Sequence, residues 1–175
     1  LIEPIRASYY LSNSNHMLLA LNDSDTVDFS WVYSYYHLLG FESECPDYTM
    51  GVLYSGRAFD KKHKVNFEDW FYDEVGGIAV VKSSDIYFSL FCGLHGSSHG
   101  HASLGAISLE MDGVYFMTHP GRYTYTECEN RVRFKSERMQ NTVLVEGGHY
   151  PSIESSWGYH WVAKPLSIQM KKEEA

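Results

Sequence analysis

The stretch "AISLEMDGVYFMT" (106–118) constrains this chain more than any other. Two short runs of β-forming residues flank Asp112-Gly113, the residue pair that accepts the positive φ angles of a two-residue type I′ turn. An antiparallel hairpin follows, and it returns the chain toward the end where it began. His101 stands just before the first run and His119 just after the second, so the hairpin brings both to one edge of a sheet. His99 and His101 are spaced i, i+2; on an extended segment their imidazoles point the same way and can share one metal ion or one substrate group.

Other segments extend the β reading. "GIAVVKSSDIYFSLFCG" (77–93) reads as two strands parted by Ser83-Ser84-Asp85; "NTVLVEGG" (141–148) reads as another, and "YHWVAKP" as one more that Pro165 closes. Upstream, "TVDFSWVYSYYHLLG" carries apolar or aromatic residues at 27, 31, 32, 35, 38 and 39, a helical stripe. The preceding "NDSD" supplies caps and acidic charge for its start, and Gly40 its stop. The expected architecture is mainly β: a helical piece over 1–40, a connection over 41–76, and an antiparallel β-sandwich over 77–175 with at least six strands in all. The tail "MKKEEA" reads as solvated.

Composition excludes several classes. With 44% apolar and 21% charged residues over 175 positions, the chain can bury one sizeable core. A net charge of -8 argues against a general nucleic-acid binder. Cys45, Cys92 and Cys128 are an odd count with no CxxC spacing, so neither a zinc ribbon nor a disulfide framework is indicated. No apolar run is long enough to span a bilayer, and no leader pattern opens the chain. Its first residue is Leu, as expected of a piece of a longer protein.

Chemistry concentrates in one region. His95, His99, His101 and His119 fall within 25 positions, which suits a metal site, catalytic imidazoles or ordinary hydrogen-bonded histidines. A cupin metal motif needs a glutamate closer to the second histidine than Glu110. No G-x-S-x-G elbow, Walker loop or dinucleotide glycine pattern occurs. Tyr123 and Tyr125 alternate onto one face of an extended segment, as sheet-surface residues or as a proton carrier. Arg122, Arg131, Arg133, Lys135 and Arg138 form a basic stretch, either a solvated strand and loop face or a site for an anionic ligand.

The ordered series "GLHGSSHGHASLGAISLEMDGVYFMTHPGRYTY", then "RFKSERMQNTVLVEGG", resembles the heparinase II/III-like polysaccharide lyases, whose pattern is G-P-H-G-x-x-H-G-H-A-D, a strand, a turn, a strand ending D-P-G-T-Y-x-Y, then F-R-S-x-x-A-H-N-T-V. "LALNDSD" is similar to the stretch where that family's helical domain ends. The resemblance implies an α/α toroid followed by a supersandwich-type β domain, of which this chain would hold the last helix and the first β part. It also implies a carbon-oxygen lyase that cleaves a uronic-acid polysaccharide by β-elimination, outside the cell or in a periplasm. Carried over by position, His99 faces the catalytic centre, Tyr125 lies near a catalytic tyrosine, and His101 is a zinc ligand. His119 falls where the family has an aspartate ligand, Gln140 where it has a histidine ligand, and Ser103 where it has the aspartate of H-A-D. His95 or His149 would complete a zinc site, or that site would be empty. Arg131, Arg133 and Arg138 would hold carboxylates or sulfates of the acidic polymer. The remaining catalytic residues, an Asn, a His and a Tyr, belong to the toroid, so this stretch holds an incomplete catalytic set. The same departures suit a second expectation, a non-catalytic β-sandwich that binds glycan or serves as a scaffold.

Overall fold

The structure is a computed structural model, and it describes residues 2–38, 41–42, 63–148, 151–169 and 171. Gly40, Cys45, His149 and all of the tail except Lys171 lie outside them, as does much of the expected connection.

Helix α1 (Ile2–Tyr10) and helix α2 (Ser30–Leu38) precede a short parallel pair, β1 (Phe41–Glu42) with β2 (His63–Lys64). The main body is a five-stranded antiparallel sheet in sequence order: β3 (Trp70–Asp73), β4 (Ile78–Lys82), β5 (Ile86–Phe91), β6 (Ala106–Met111) and β7 (Val114–Met117). Helix α3 (Glu129–Lys135) and a 3₁₀ turn (Glu137–Met139) follow, then a separate hairpin of β8 (Pro151–Ile153) and β9 (Tyr159–Val162). The chain is therefore mainly antiparallel β with a few short helices. Its sheet begins at Trp70, inside the stretch expected to be a connection.

The β6–β7 turn has the expected geometry, with φ of 50° at Asp112 and 73° at Gly113. β5 and β6 alternate between buried and half-buried positions, and Ser89 and Ser108 hydrogen-bond across the pair on the buried side at 2.5 Å. Tyr10 of α1 packs with Ile78, Val80 and Tyr87, flanked by Tyr9, Leu19, Phe67 and Phe71. Lys82 reaches the end of α1 and donates to the carbonyls of Tyr9 and Ser12, each at 2.8 Å. A cation there bonds carbonyls in and just after the last turn and opposes the negative end of the helix.

Three local expectations are corrected. Helix α2 starts at Ser30, capped by Asp28, whose Oδ1 accepts the Ser30 N–H at 2.8 Å; the Asn22, Asp23 and Asp25 side chains are bonded elsewhere. Residues 141–148 form no strand, and Val143, Leu144 and Val145 are exposed. The basic stretch is not an extended face: its middle is α3, which buries Arg131 and Lys135, one turn apart.

Candidate functional site

The organising residue is Asp23, from the "NDSD" stretch. Its side chain is 5% exposed, and three partners converge on it. Arg131 donates from both terminal nitrogens, at 2.8 Å to Oδ1 and 2.7 Å to Oδ2; His101 donates from Nε2 at 2.8 Å and His99 from Nδ1 at 2.9 Å. Burial pushes the Asp23 carboxyl up, but the hydrogen bonds from Arg131, His101 and His99 overcome it and hold the group well below the usual carboxylate range. The fork-to-carboxylate pairing fixes orientation as well as charge. What the i, i+2 histidines share is this carboxylate.

The loop that carries them is tied down on every side. Asn22 Oδ1 accepts the His101 N–H at 3.0 Å and the Ser103 hydroxyl at 2.8 Å. Lys135, fully buried, donates to the carbonyls of Ser98 at 2.5 Å and Ser156 at 2.8 Å, joining the histidine loop to the β8–β9 hairpin. Tyr159 donates to the Gly100 carbonyl at 2.5 Å. Gly100 itself is required: a Cβ there would lie 2.0 Å from the His95 carbonyl oxygen. Desolvation lowers the Lys135 ammonium to about 8.

His99 and His101 part company in exposure. The His99 side chain is 64% exposed; its Nδ1 is spent on Asp23, so Nε2 is presented outward. His101 is buried, and desolvation outweighs its Asp23 bond to bring it to about 4. Around His99 stand two rings. Tyr125 meets it edge-to-face at 6.0 Å between centroids and Trp157 at 5.6 Å; Tyr125 and Trp157 lie 5.5 Å apart at 27°. Below them is the Arg131 guanidinium, 4.6 Å from the Trp157 ring centre.

The structure thus places the expected residues in different roles. His99 and Tyr125 come together. Arg131 is corrected from a substrate contact to an internal support: it is fully buried and bonded to Asp23 and to the Arg122 carbonyl. Arg133 and Arg138 are exposed, on α3 and the 3₁₀ turn. Tyr123 does not share a strand face with Tyr125; it has a φ of 61° and packs on Phe134. His119 is buried against Gln140, and desolvation lowers its pKa more than the amide raises it, with neither ring nitrogen in a well-formed hydrogen bond. His95 packs on Tyr159. Asp23, Asn22 and Trp157 were not legible as site residues, because nothing local marks a side chain whose partners lie far along the chain, 78 and 108 positions away for Asp23 and 79 for Asn22.

Zinc can be tested on the donors left over. In and around the histidine loop these are His95 Nε2, His101 Nδ1, both nitrogens of His119 and Gln140 Oε1, all buried and unsatisfied. Among the described residues no three His, Cys, Asp or Glu side chains gather as a metal site. Imidazoles that do not gather in threes, with a neutral amide as the remaining donor, do not fit a tetrahedral structural zinc, which takes four N, S or carboxylate donors.

Comparison with known proteins gives one family match, to the heparinase II/III-like C-terminal domain over residues 69–175. No curated protein matches. Among solved structures, a heparinase III with methylated lysines is 17% identical, with a TM-score of 0.63 over 85% of this chain and 24% of that one. The heparan sulfate lyase HepC from Pedobacter heparinus is 16% identical, with a TM-score of 0.61 over 83% of this chain and 24% of its own. A further heparinase III is 16% identical, with a TM-score of 0.59 over 85% and 26%. At such identities the likeness is one of fold, and the chain spans about a quarter of each.

Proposed function

Since the chain belongs to the heparinase II/III-like family through its C-terminal domain, we propose that it contributes one wall of a polysaccharide lyase site acting on an acidic, uronic-acid-containing polymer. The observation that carries this reading is His99: an imidazole anchored through Nδ1 to Asp23, largely exposed, with Tyr125 beside it. Locking one nitrogen onto a carboxylate sets the tautomer and aims the other nitrogen at a substrate.

In β-elimination the uronate carboxylate is neutralised, a base takes the C5 proton, and the C5–H electrons become the C4=C5 double bond. The C4–O bond breaks, and its oxygen leaves with a proton. Neutralisation stabilises the enolate-like charge that builds on the carboxylate, and a positioned imidazole or phenol moves the protons. In this reading His99 stands at the reacting centre with Nε2 as a proton acceptor, and Tyr125 is the proton carrier. Arg133 and Arg138 remain available to sulfates or carboxylates along the polymer, whereas Arg131 does not. Zinc is at most weakly and substoichiometrically held by His101 and His119, and no step runs through it. An extracellular or periplasmic setting follows from the substrate class.

The test is release of unsaturated uronate, followed by its ultraviolet absorbance, when the intact protein meets a panel of acidic polysaccharides. One polymer is expected to be cleaved, and His99→Ala is expected to lower turnover by about a hundredfold or more while changing stability by under about 1 kcal/mol. Binding without any absorbance rise would overturn catalysis. The departures at Ser103, His119 and Gln140 would then mark a glycan-binding module.

A further inference from the structure

Trp157 sits at the tip of the β8–β9 hairpin and has no part in the elimination chemistry. It is nevertheless 37% exposed, and Tyr125 beside it is 45% exposed. The tip that presents it is fixed from several directions. The Ser155 hydroxyl accepts the N–H groups of Trp157 and Gly158, Glu127 accepts that of Ser156, and Lys135 holds the Ser156 carbonyl. The buried Arg131 guanidinium fills the space beneath the rings. Such an arrangement keeps apolar ring surface at the solvent boundary at a defined place, where packing inward would be the default for tryptophan.

We propose that Trp157, with Tyr125, forms a stacking subsite for a pyranose ring of an acidic glycan, next to the ring that His99 addresses. This deepens the lyase reading and rests on it for the position of the substrate. A pyranose presents an apolar C–H face and a polar rim, and the patch matches both. The aromatic surface is apolar and pre-ordered, which keeps the entropy cost of binding low. At its edge Arg122 lies 4.4 Å over the Tyr125 ring and pairs with Asp25 at 2.8 Å. That ion pair is half-exposed and easily exchanged, so a ligand carboxylate or sulfate can replace Asp25 on the guanidinium. The 5.6 Å between His99 and Trp157 places the stacked sugar immediately beside the reacting one.

The experiment is calorimetric titration of the intact protein with two size-defined probes, a heparin-derived and an alginate-derived hexasaccharide, alongside turnover assays. Trp157→Leu keeps apolar volume but removes the ring, and is expected to weaken binding of the accepted hexasaccharide about tenfold. Trp157→Phe is expected to stay within about threefold of the unsubstituted protein. Equal affinity in the Leu and Phe variants would overturn the subsite, and so would failure of both hexasaccharides to bind the unsubstituted protein at millimolar concentration. The two readings fail separately. Ring-dependent binding with no cleavage of any polymer removes the lyase and keeps the subsite, whereas cleavage with kcat and KM unchanged in Trp157→Leu removes the subsite and keeps the lyase.

Discussion

Asp23 and Arg131 form a pair that each needs the other. Both are buried, with Asp23 5% and Arg131 0% exposed, so Asp23→Asn leaves a guanidinium without its counter-charge inside the protein. The expected cost is about 3 kcal/mol or more in urea unfolding, together with loss of the His99 orientation. Lys135 carries the opposite lesson. Its folded pKa of about 8 lies below the unfolded value of 10.5, so between those values the unfolded chain binds more protons and stability rises with pH. Denaturation at pH 8 and pH 10 is expected to show a gain of about 2 kcal/mol, absent in Lys135→Met. From about pH 10 the Tyr87 and Tyr159 phenols oppose this gain, because burial raises them above their ordinary value of 10.0 and the unfolded chain ionises first.

At the scale of elements, the β6–β7 hairpin was readable because its turn chemistry is local: two consecutive residues must take positive φ, and Asp-Gly does so. Gly113→Ala is expected to lower stability by about 1 kcal/mol, read as a lower melting temperature. The nearest atom to the new Cβ is 3.8 Å away, so the cost is backbone conformation and not a clash. β4 and β5 were legible for the same reason, as dense β-formers around a turn. Helix α3 was not, because its inward face is Arg131 and Lys135, and a search for apolar periodicity reads such a face as solvated. "NTVLVEGG" erred the other way: valines favour a strand only where a partner edge and a covered face exist.

Across the whole molecule, the sheet, the N-terminal segment and the β8–β9 hairpin meet at one loop, 95–101. Asn22 and Asp23 reach it from one side, Lys135 and Tyr159 from the other. A carboxylate, a guanidinium and an ammonium hold this loop, and the buried donors near it do not fit a structural zinc. Zinc titration of the chelator-treated protein is accordingly expected to give less than one equivalent, with the melting temperature nearly unchanged by metal. Tight stoichiometric zinc lost in His119→Ala would reverse that.

The order of motifs along the chain sufficed to identify the family and the antiparallel character, because strand periodicity, the Asp-Gly turn and the spaced histidines are written in neighbouring residues. The partners of those histidines were decided by the tertiary structure. Asp23 lies 78 positions from His101 and 108 from Arg131, and only the folded chain shows that what looked like a helix cap is the anchor of the site. The reason is physical: a local pattern sets which way a backbone turns, while the burial of a charge depends on which opposite charge the fold brings to meet it.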